Sequence, residues 1–151
     1  GSGQANDIVV MGTRLYFGAW DGSSGYELWA HETTNDSTWL AADIYSQNYS
    51  PTNPYNSSNP GYYAGITAMG TRLYFDAIQN GSSGVELWAH ETTNGSTWQM
   101  VDINRGSGNS FPGDGVGITA MGTRLYFDAD DGSSGKELFV YGLIELTVTY
   151  N

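Results

Sequence analysis

The segment Met11-Gly12-Thr13-Arg14-Leu15-Tyr16-Phe17 recurs without change at residues 69–75 and 121–127 of this 151-residue chain. Each copy is followed by a Gly-Ser-Ser-Gly loop and then by Glu-Leu-Trp or Glu-Leu-Phe. A repeat of about 50 residues indicates one supersecondary unit used several times. The sequence therefore predicts a single domain over residues 1–151, with three tandem units at about residues 7–44, 64–103 and 116–151.

Each unit has the pattern of four short antiparallel strands. In the second unit we expect strands at residues 66–69, 72–77, 85–90 and 96–103, and Asn80-Gly81 is typical of a hairpin turn. No stretch combines helical periodicity with helix caps. Residues 45–63 and 104–115, hereafter the first and second connector, are rich in loop-forming residues and are predicted to be loops.

The strands carry apolar side chains on both faces, as Leu87, Trp88 and Ala89 do in the second unit. Sheets covered on both faces are typical of β-propeller blades. We therefore predict an all-β fold of three four-stranded antiparallel repeats resembling propeller blades, with a β-trefoil as the alternative. Because propellers have about four to eight blades, either two chains complete a ring or the blades form an open array.

Composition excludes several classes of function. The chain has 16 acidic and 5 basic residues, a net charge of −11 and no cysteine. Such a charge repels nucleic acid and anionic membranes, and the absence of cysteine excludes disulfides and thiolate metal sites. No apolar run reaches the roughly 20 residues of a membrane helix. We expect neither nucleic-acid binding nor membrane insertion.

The pattern Gly-x-Glu-Leu-Trp at residues 25–29 and 84–88, preceded by Leu-Tyr-Phe, resembles the ELWxxDGT repeats of secreted bacterial and archaeal proteins. Asp-Ile at residues 43–44 and 102–103 is similar to the segment that follows in that family. The resemblance implies a propeller-like β-repeat in an extracellular or cell-surface setting, and it implies no particular activity. Residues 30–35 depart from the family pattern, and Phe139 replaces the tryptophan in the third unit.

Scarce charges recur at fixed repeat positions, which predicts one cross-strand ion pair per unit. A catalytic role would need one special copy rather than equal ones. His31 and His90 also share a repeat position; they would share a metal only if their strands converged, and the alternative is that each closes a strand end. The predicted pairs join Arg14, Arg72 and Arg124 to Glu27, Glu86 and Glu137.

The third unit carries an acidic loop that offers oxygen ligands for Ca²⁺, namely Asp128, Asp130, Asp131 and Glu137. Its spacing is not that of an EF-hand, and the alternative is a polar hairpin turn. Calcium is the single cofactor for which the sequence contains candidate ligands, and otherwise no cofactor is expected.

Loop residues suggest two kinds of contact with sugars. Five Asn-x-Ser sequons predict glycosylation in loops, at Asn35, Asn48, Asn56, Asn80 and Asn94. Aromatic residues of the first connector could instead stack on a glycan or a protein partner, or fold back over the sheet edges; they are Tyr49, Tyr55, Tyr62 and Tyr63.

The last stretch of the chain, residues 143–150, alternates apolar and polar residues and predicts a strand unlike the others. It could pair with residues 8–10 of the same chain or add to the exposed edge of a neighbour. Its predicted assembly residues are Ile144, Leu146, Val148 and Tyr150.

No nucleophile elbow, zinc-protease motif or phosphate loop occurs, so we expect no enzyme. The leading hypothesis is an extracellular structural protein that associates with itself, as an oligomer or a cell-surface filament, with the C-terminal strand as one route. The alternative is a carbohydrate-binding, lectin-like module that uses loop aromatics. The assembly state tests the first hypothesis and glycan binding tests the second.

Overall fold

A computed structural model of the chain describes residues 8–46, 56–80 and 83–142, and this part of the chain forms eleven β-strands and no helix. Sheet 1 consists of β1 (Val9–Met11), β2 (Arg14–Trp20), β3 (Tyr26–Glu32) and β4 (Ser37–Ala42). Sheet 2 consists of β5 (Ile66–Met69), β6 (Arg72–Ile78), β7 (Val85–Glu91) and β8 (Thr97–Val101). Sheet 3 consists of β9 (Thr119–Met121), β10 (Arg124–Asp130) and β11 (Lys136–Gly142).

Within each sheet the strands pair antiparallel in chain order, and the described strands form no closed barrel. The all-β prediction is confirmed, whereas a β-trefoil requires a barrel that these three small sheets do not make. The strands predicted in the second unit lie within one or two residues of β5–β8. A fourth strand of the third unit, predicted at residues 143–150, lies outside the described residues.

The repeated Met-Gly-Thr-Arg segment forms the tight turn between the first two strands of each sheet. The central glycines Gly12, Gly70 and Gly122 all have φ +62°. An L-residue with a Cβ rarely adopts this left-handed conformation, so glycine suits the turn. The turn fixes the register, since Arg14 then lies opposite Met11 and Arg72 opposite Met69.

Two apolar cores lie between neighbouring sheets, because alternate residues of a strand point to opposite faces. Between sheets 1 and 2, Tyr16 and Leu28 pack with Leu73 and Phe75. The other face of sheet 2 packs on sheet 3 through a second set: Tyr74, Leu87, Ala89, Ile118, Leu125, Phe127 and Ala129. Sheet 2 therefore contributes to both cores, whereas sheets 1 and 3 contribute to one each.

Candidate interaction surfaces

The repeated glutamate Glu27 holds both ends of the first connector against sheet 1. Its carboxylate is buried and accepts hydrogen bonds from the backbone N–H of Ile44 at 2.8 Å and from that of Ser58 at 3.0 Å. The Ser58 hydroxyl donates a further bond at 2.5 Å. Burial raises the pKa of Glu27, and the bonds from Ser58 and Ile44 oppose that rise. One side chain thus joins Ile44, just before the first connector, to Ser58 within it.

Glu86 does the same for the second connector. It is buried and accepts bonds from the N–H of Ile103 at 2.9 Å, the N–H of Asn104 at 3.3 Å and the hydroxyl of Ser110 at 2.7 Å. Burial raises the pKa of Glu86, against the effect of these donors. The third member of the series, Glu137, is exposed. The repeated glutamate is therefore a structural acceptor in sheets 1 and 2.

The predicted ion pairs between the repeated arginines and these glutamates are wrong. Strand register places Arg14 opposite Glu32 and places Glu27 opposite Ala19, near the other end of the same hairpin. Five residues of strand separate the two positions, roughly 16 Å at about 3.3 Å per residue. The same register in sheet 2 separates Arg72 from Glu86, and in sheet 3 it separates Arg124 from Glu137.

The arginines of sheets 1 and 2 pair instead with the glutamate at the end of the third strand. Arg14 Nε lies 3.3 Å from Glu32 Oε2, and Arg72 Nε lies 3.0 Å from Glu91 Oε2. Hydrogen bonds from Thr13 and Thr34 contribute to lowering the pKa of Glu32 to about 2. In sheet 3 the position opposite Arg124 is occupied by Gly142.

A second repeat, absent from the sequence predictions, begins in each connector and ends three residues after it. The pattern Ser-x-Pro-Gly-x-x-x-Gly-Ile occurs at residues 58–66 and 110–118. The carbonyl of Ser58 accepts a bond from Ile78 N–H of sheet 2 at 3.1 Å, and the carbonyl of Ser110 accepts one from Asp130 N–H of sheet 3 at 2.9 Å. Each serine therefore links the glutamate of one sheet to the backbone of the next.

A cleft of about 560 Å³ separates the two connectors. Tyr63 packs edge-on against Tyr62 and against Phe111, with ring centroids 4.9 Å apart in both pairs. Tyr62 is exposed and Tyr63 is half-buried, so the structure brings two of the four predicted contact tyrosines together. The cleft is lined by Ser57, Ser58, Asn59, Tyr62, Tyr63, Asp76, Ile78, Val85, Asn109 and Phe111.

Asp76 is buried at the base of this cleft and fixes the turn that carries the tyrosines. Its carboxylate accepts hydrogen bonds from the backbone N–H of Ala64 at 2.9 Å and of Tyr63 at 3.1 Å. Burial raises the pKa of Asp76 to about 7, although these donors favour the charged form. The aspartate therefore supports the cleft from below and binds the backbone rather than facing solvent.

The four carboxylates predicted as calcium ligands in sheet 3 do not lie together. Asp128 and Asp130 lie on one face of the sheet, whereas Glu137 lies opposite Ala129 on the other face. Asp131 accepts bonds from the backbone of the turn at residues 133 and 134. Residues 8–46, 56–80 and 83–142 contain no cluster of three or more His, Asp or Glu arranged to hold a metal ion.

The sequons lie in different surroundings. Asn35 and Asn94 are exposed at the tips of the β3–β4 and β7–β8 hairpins, and each accepts a bond from the backbone of its own sequon serine. Asn56 precedes two buried serines, and Asn80 lies in the β6–β7 turn. Glycosylation at these positions stays a prediction.

The two histidines of one repeat position close a hairpin in the same way. His31 Nδ1 lies 2.8 Å from Thr38 Oγ1, and His90 Nδ1 lies 2.7 Å from Thr97 Oγ1. Burial lowers the pKa of His90. These contacts agree with a structural role at the strand end.

Sheet 3 has one face that is not packed against another sheet in the described part of the chain. Leu138 is 72% exposed, whereas its repeat equivalent Leu87 is fully buried against sheet 3. Val140 is 52% exposed, whereas its equivalent Ala89 is buried. This face, hereafter the outer face of sheet 3, comprises Thr119, Met121, Arg124, Tyr126, Leu138 and Val140 and, toward the β10–β11 turn, the charged Asp128, Asp130 and Lys136.

Sheet 1 also has a face that is not packed against another sheet in the described part of the chain, and in the repeat unit it is the face opposite to the exposed one of sheet 3. Ile8 is 61% exposed, whereas its repeat equivalents Ile66 and Ile118 are 8% and 5% exposed. Phe17 is half-buried where Phe75 is fully buried. This outer face of sheet 1 comprises Ile8, Val10, Leu15, Phe17, Ala19, Trp29 and His31.

Several predicted residues lie outside the described part of the chain: Asn48, Tyr49, Tyr55, Ile144, Leu146, Val148 and Tyr150. Within the described part, no helix has the length and apolar character needed to cross a membrane.

Comparison with protein-family models, with curated protein sequences and with solved structures finds no match. The resemblance to the ELWxxDGT repeats therefore stays a prediction.

Proposed function

We propose that this chain is a non-catalytic, extracellular or cell-surface structural protein that associates with copies of itself. The three sheets act as propeller-like blades, and the stack continues beyond one chain. One observation carries the proposal: the two end sheets expose apolar side chains that the same repeat positions bury inside the molecule, as Leu138 and Ile8 illustrate. An exposed apolar sheet face of this kind is typical of an interaction surface.

The buried carboxylates support a structural rather than a catalytic role. Glu27, Glu86 and Asp76 all accept hydrogen bonds from connector backbone. Groups engaged in this way order loops and are not available to a substrate. The exposed sequons at Asn35 and Asn94 agree with a secreted, repeat-built surface protein.

Sedimentation velocity and negative-stain electron microscopy of the purified chain test the proposal. We expect assemblies of two or more copies whose population rises with concentration. A chain that sediments as a monomer throughout the accessible concentration range would contradict it.

A second candidate function is carbohydrate binding in the cleft between the connectors. The observation that favours it is the run of Tyr62, Tyr63 and Phe111, beside the amide side chains of Asn59 and Asn109. Aromatic rings with adjacent hydrogen-bonding groups are suited to sugar faces.

A glycan array followed by calorimetry tests this candidate. Tyr62→Ala should abolish the binding of any glycan found, whereas Trp20→Ala, which removes an exposed aromatic outside the cleft, should leave it unchanged. A blank array, or equal effects of the two variants, would remove the cleft as a sugar site.

A further inference from the structure

We infer that copies of this chain join head to tail, with the outer face of sheet 3 of one copy packed on the outer face of sheet 1 of the next. This inference rests on the proposed self-association and adds the partner surface, the direction and the register. Its basis is that each outer face repeats one half of an interface that already exists inside the molecule.

Both internal interfaces use the same two halves. The first half is the sheet face with Tyr16 and Leu28 in sheet 1, and its repeat equivalent in sheet 2 is the face with Tyr74 and Leu87. The opposite half, which carries Leu73 and Phe75 in sheet 2, consists of Leu125, Phe127 and their neighbours in sheet 3. The equivalent of the first half in sheet 3 is its outer face, with Tyr126 and Leu138. The equivalent of the second half in sheet 1 is its outer face, with Leu15 and Phe17.

Polar contacts across the internal interfaces set the register. Between sheets 1 and 2, Tyr16 packs on His90 with ring centroids 5.6 Å apart, and Arg14 Nη1 donates to the carbonyl of Thr92 at 3.5 Å. Between sheets 2 and 3, Thr67 Oγ1 donates to the carbonyl of Ile118 at 2.7 Å.

The outer faces hold the repeat equivalents of every group in these contacts. Sheet 3 supplies Tyr126, Arg124 and Thr119, and all three lie on its outer face. Sheet 1 supplies the ring of His31 and the carbonyls of Thr33 and Ile8 as acceptors. The turn that holds Thr33 has the same geometry as its equivalent in sheet 2, because the N–H groups of Thr33 and Thr92 donate to the carbonyls of Thr13 and Thr71, each at 3.0 Å. We therefore expect Tyr126 on His31, Arg124 on the carbonyl of Thr33 and Thr119 on the carbonyl of Ile8 of the next copy.

Such an interface joins different surfaces of identical chains. It either closes into a ring or continues as a filament. Two copies would bring six sheets together, which lies within the range of closed propellers. The mass of the wild-type assembly decides between ring and filament, and both outcomes use the same contact.

The test uses two variants that each remove one face, Leu138→Asp and Ile8→Asp. Both residues are exposed in the single chain, so circular dichroism should show that both variants fold. Each variant alone should self-associate at least about 100-fold more weakly than the wild type, because a carboxylate buried against apolar side chains is costly. Val101→Asp changes an exposed valine on β8, away from both faces, and should assemble like the wild type.

Mixing the two variants gives the decisive result. Each retains the face that the other has lost, so an equimolar mixture should form a complex of one chain of each, with no larger species. Single variants that still assemble would overturn the head-to-tail contact while leaving self-association by another route, such as the C-terminal strand. Variants that fold but stay monomeric on mixing would also overturn it. A monomeric wild type would overturn the proposed function itself.

Discussion

Replacing Glu86 with alanine tests whether the repeated glutamate holds the connector. The change leaves the N–H groups of Ile103 and Asn104 without their acceptor, and the hydroxyl of Ser110 keeps only the longer contact of 3.1 Å to the carbonyl of Val85. Each hydrogen bond to a charged group contributes about 1.5–3 kcal/mol. The three bonds share one carboxylate, whose burial is itself unfavourable, so the losses do not add fully. We expect the free energy of unfolding to fall by about 3–5 kcal/mol.

The chain provides its own control for this experiment. Glu137 occupies the same repeat position but is exposed, so Glu137→Ala should change stability by less than about 0.5 kcal/mol. Urea unfolding, followed by circular dichroism, measures both variants against the wild type. The second connector should also become a better protease substrate, and trypsin should cleave after Arg105 faster in Glu86→Ala than in Glu137→Ala. Equal stabilities for the two variants would refute the structural role of Glu86.

Three further predictions concern single side chains. The pKa of Asp76 is raised from 3.8 to about 7 in the fold, so the folded chain binds a proton that the unfolded chain releases. The free energy of unfolding should therefore fall by at most about 4 kcal/mol as the pH rises from about 4 to about 7. Urea unfolding at both pH values should show a smaller fall in Asp76→Asn, and an equal fall would contradict the prediction. Gly84→Ala would place a Cβ against the carbonyl oxygen of Gly108 and should lower the melting temperature. Gly135 also has a positive φ but open space around the position of a Cβ, so Gly135→Ala should lower the melting temperature far less. Similar melting temperatures for the two variants would count against the close packing of the second connector. Arg72→Ala removes the pair with Glu91 and the stacking over Trp98 and should cost about 1 kcal/mol, less at high salt; a cost that salt does not change would argue against the ion pair.

The local pattern of the sequence was sufficient for the strands. The Met-Gly-Thr-Arg turn and the alternation in residues 85–90 predicted β5–β7 closely, because tight turns and side-chain alternation depend on neighbouring residues. The repeat also predicted that Leu87 and Trp88 pack on different sides of one sheet.

The partner of the repeated glutamate could not be read from the same pattern. Glu27 and Arg14 lie on adjacent strands, and their charges alone favoured an ion pair. The register of the hairpin places them at opposite ends, and the true partner, Ser58, lies 31 residues away in the chain. The repeated Ser-x-Pro-Gly segment was the available signal, since two loop segments of the same pattern that end at Ile66 and Ile118 indicate a shared contact.

The sharing of sheet 2 between both cores has a consequence for how the chain opens. A stack in which each layer contacts its neighbours loses its end layers first, because an end layer has one interface to break and a middle layer has two. Amide hydrogen exchange should therefore be slowest in β6 and β7, at Tyr74 and Leu87, and faster in β2 and β10. If copies join through the outer faces, the end layers become middle layers, and this gradient in exchange rates along the chain should disappear on assembly.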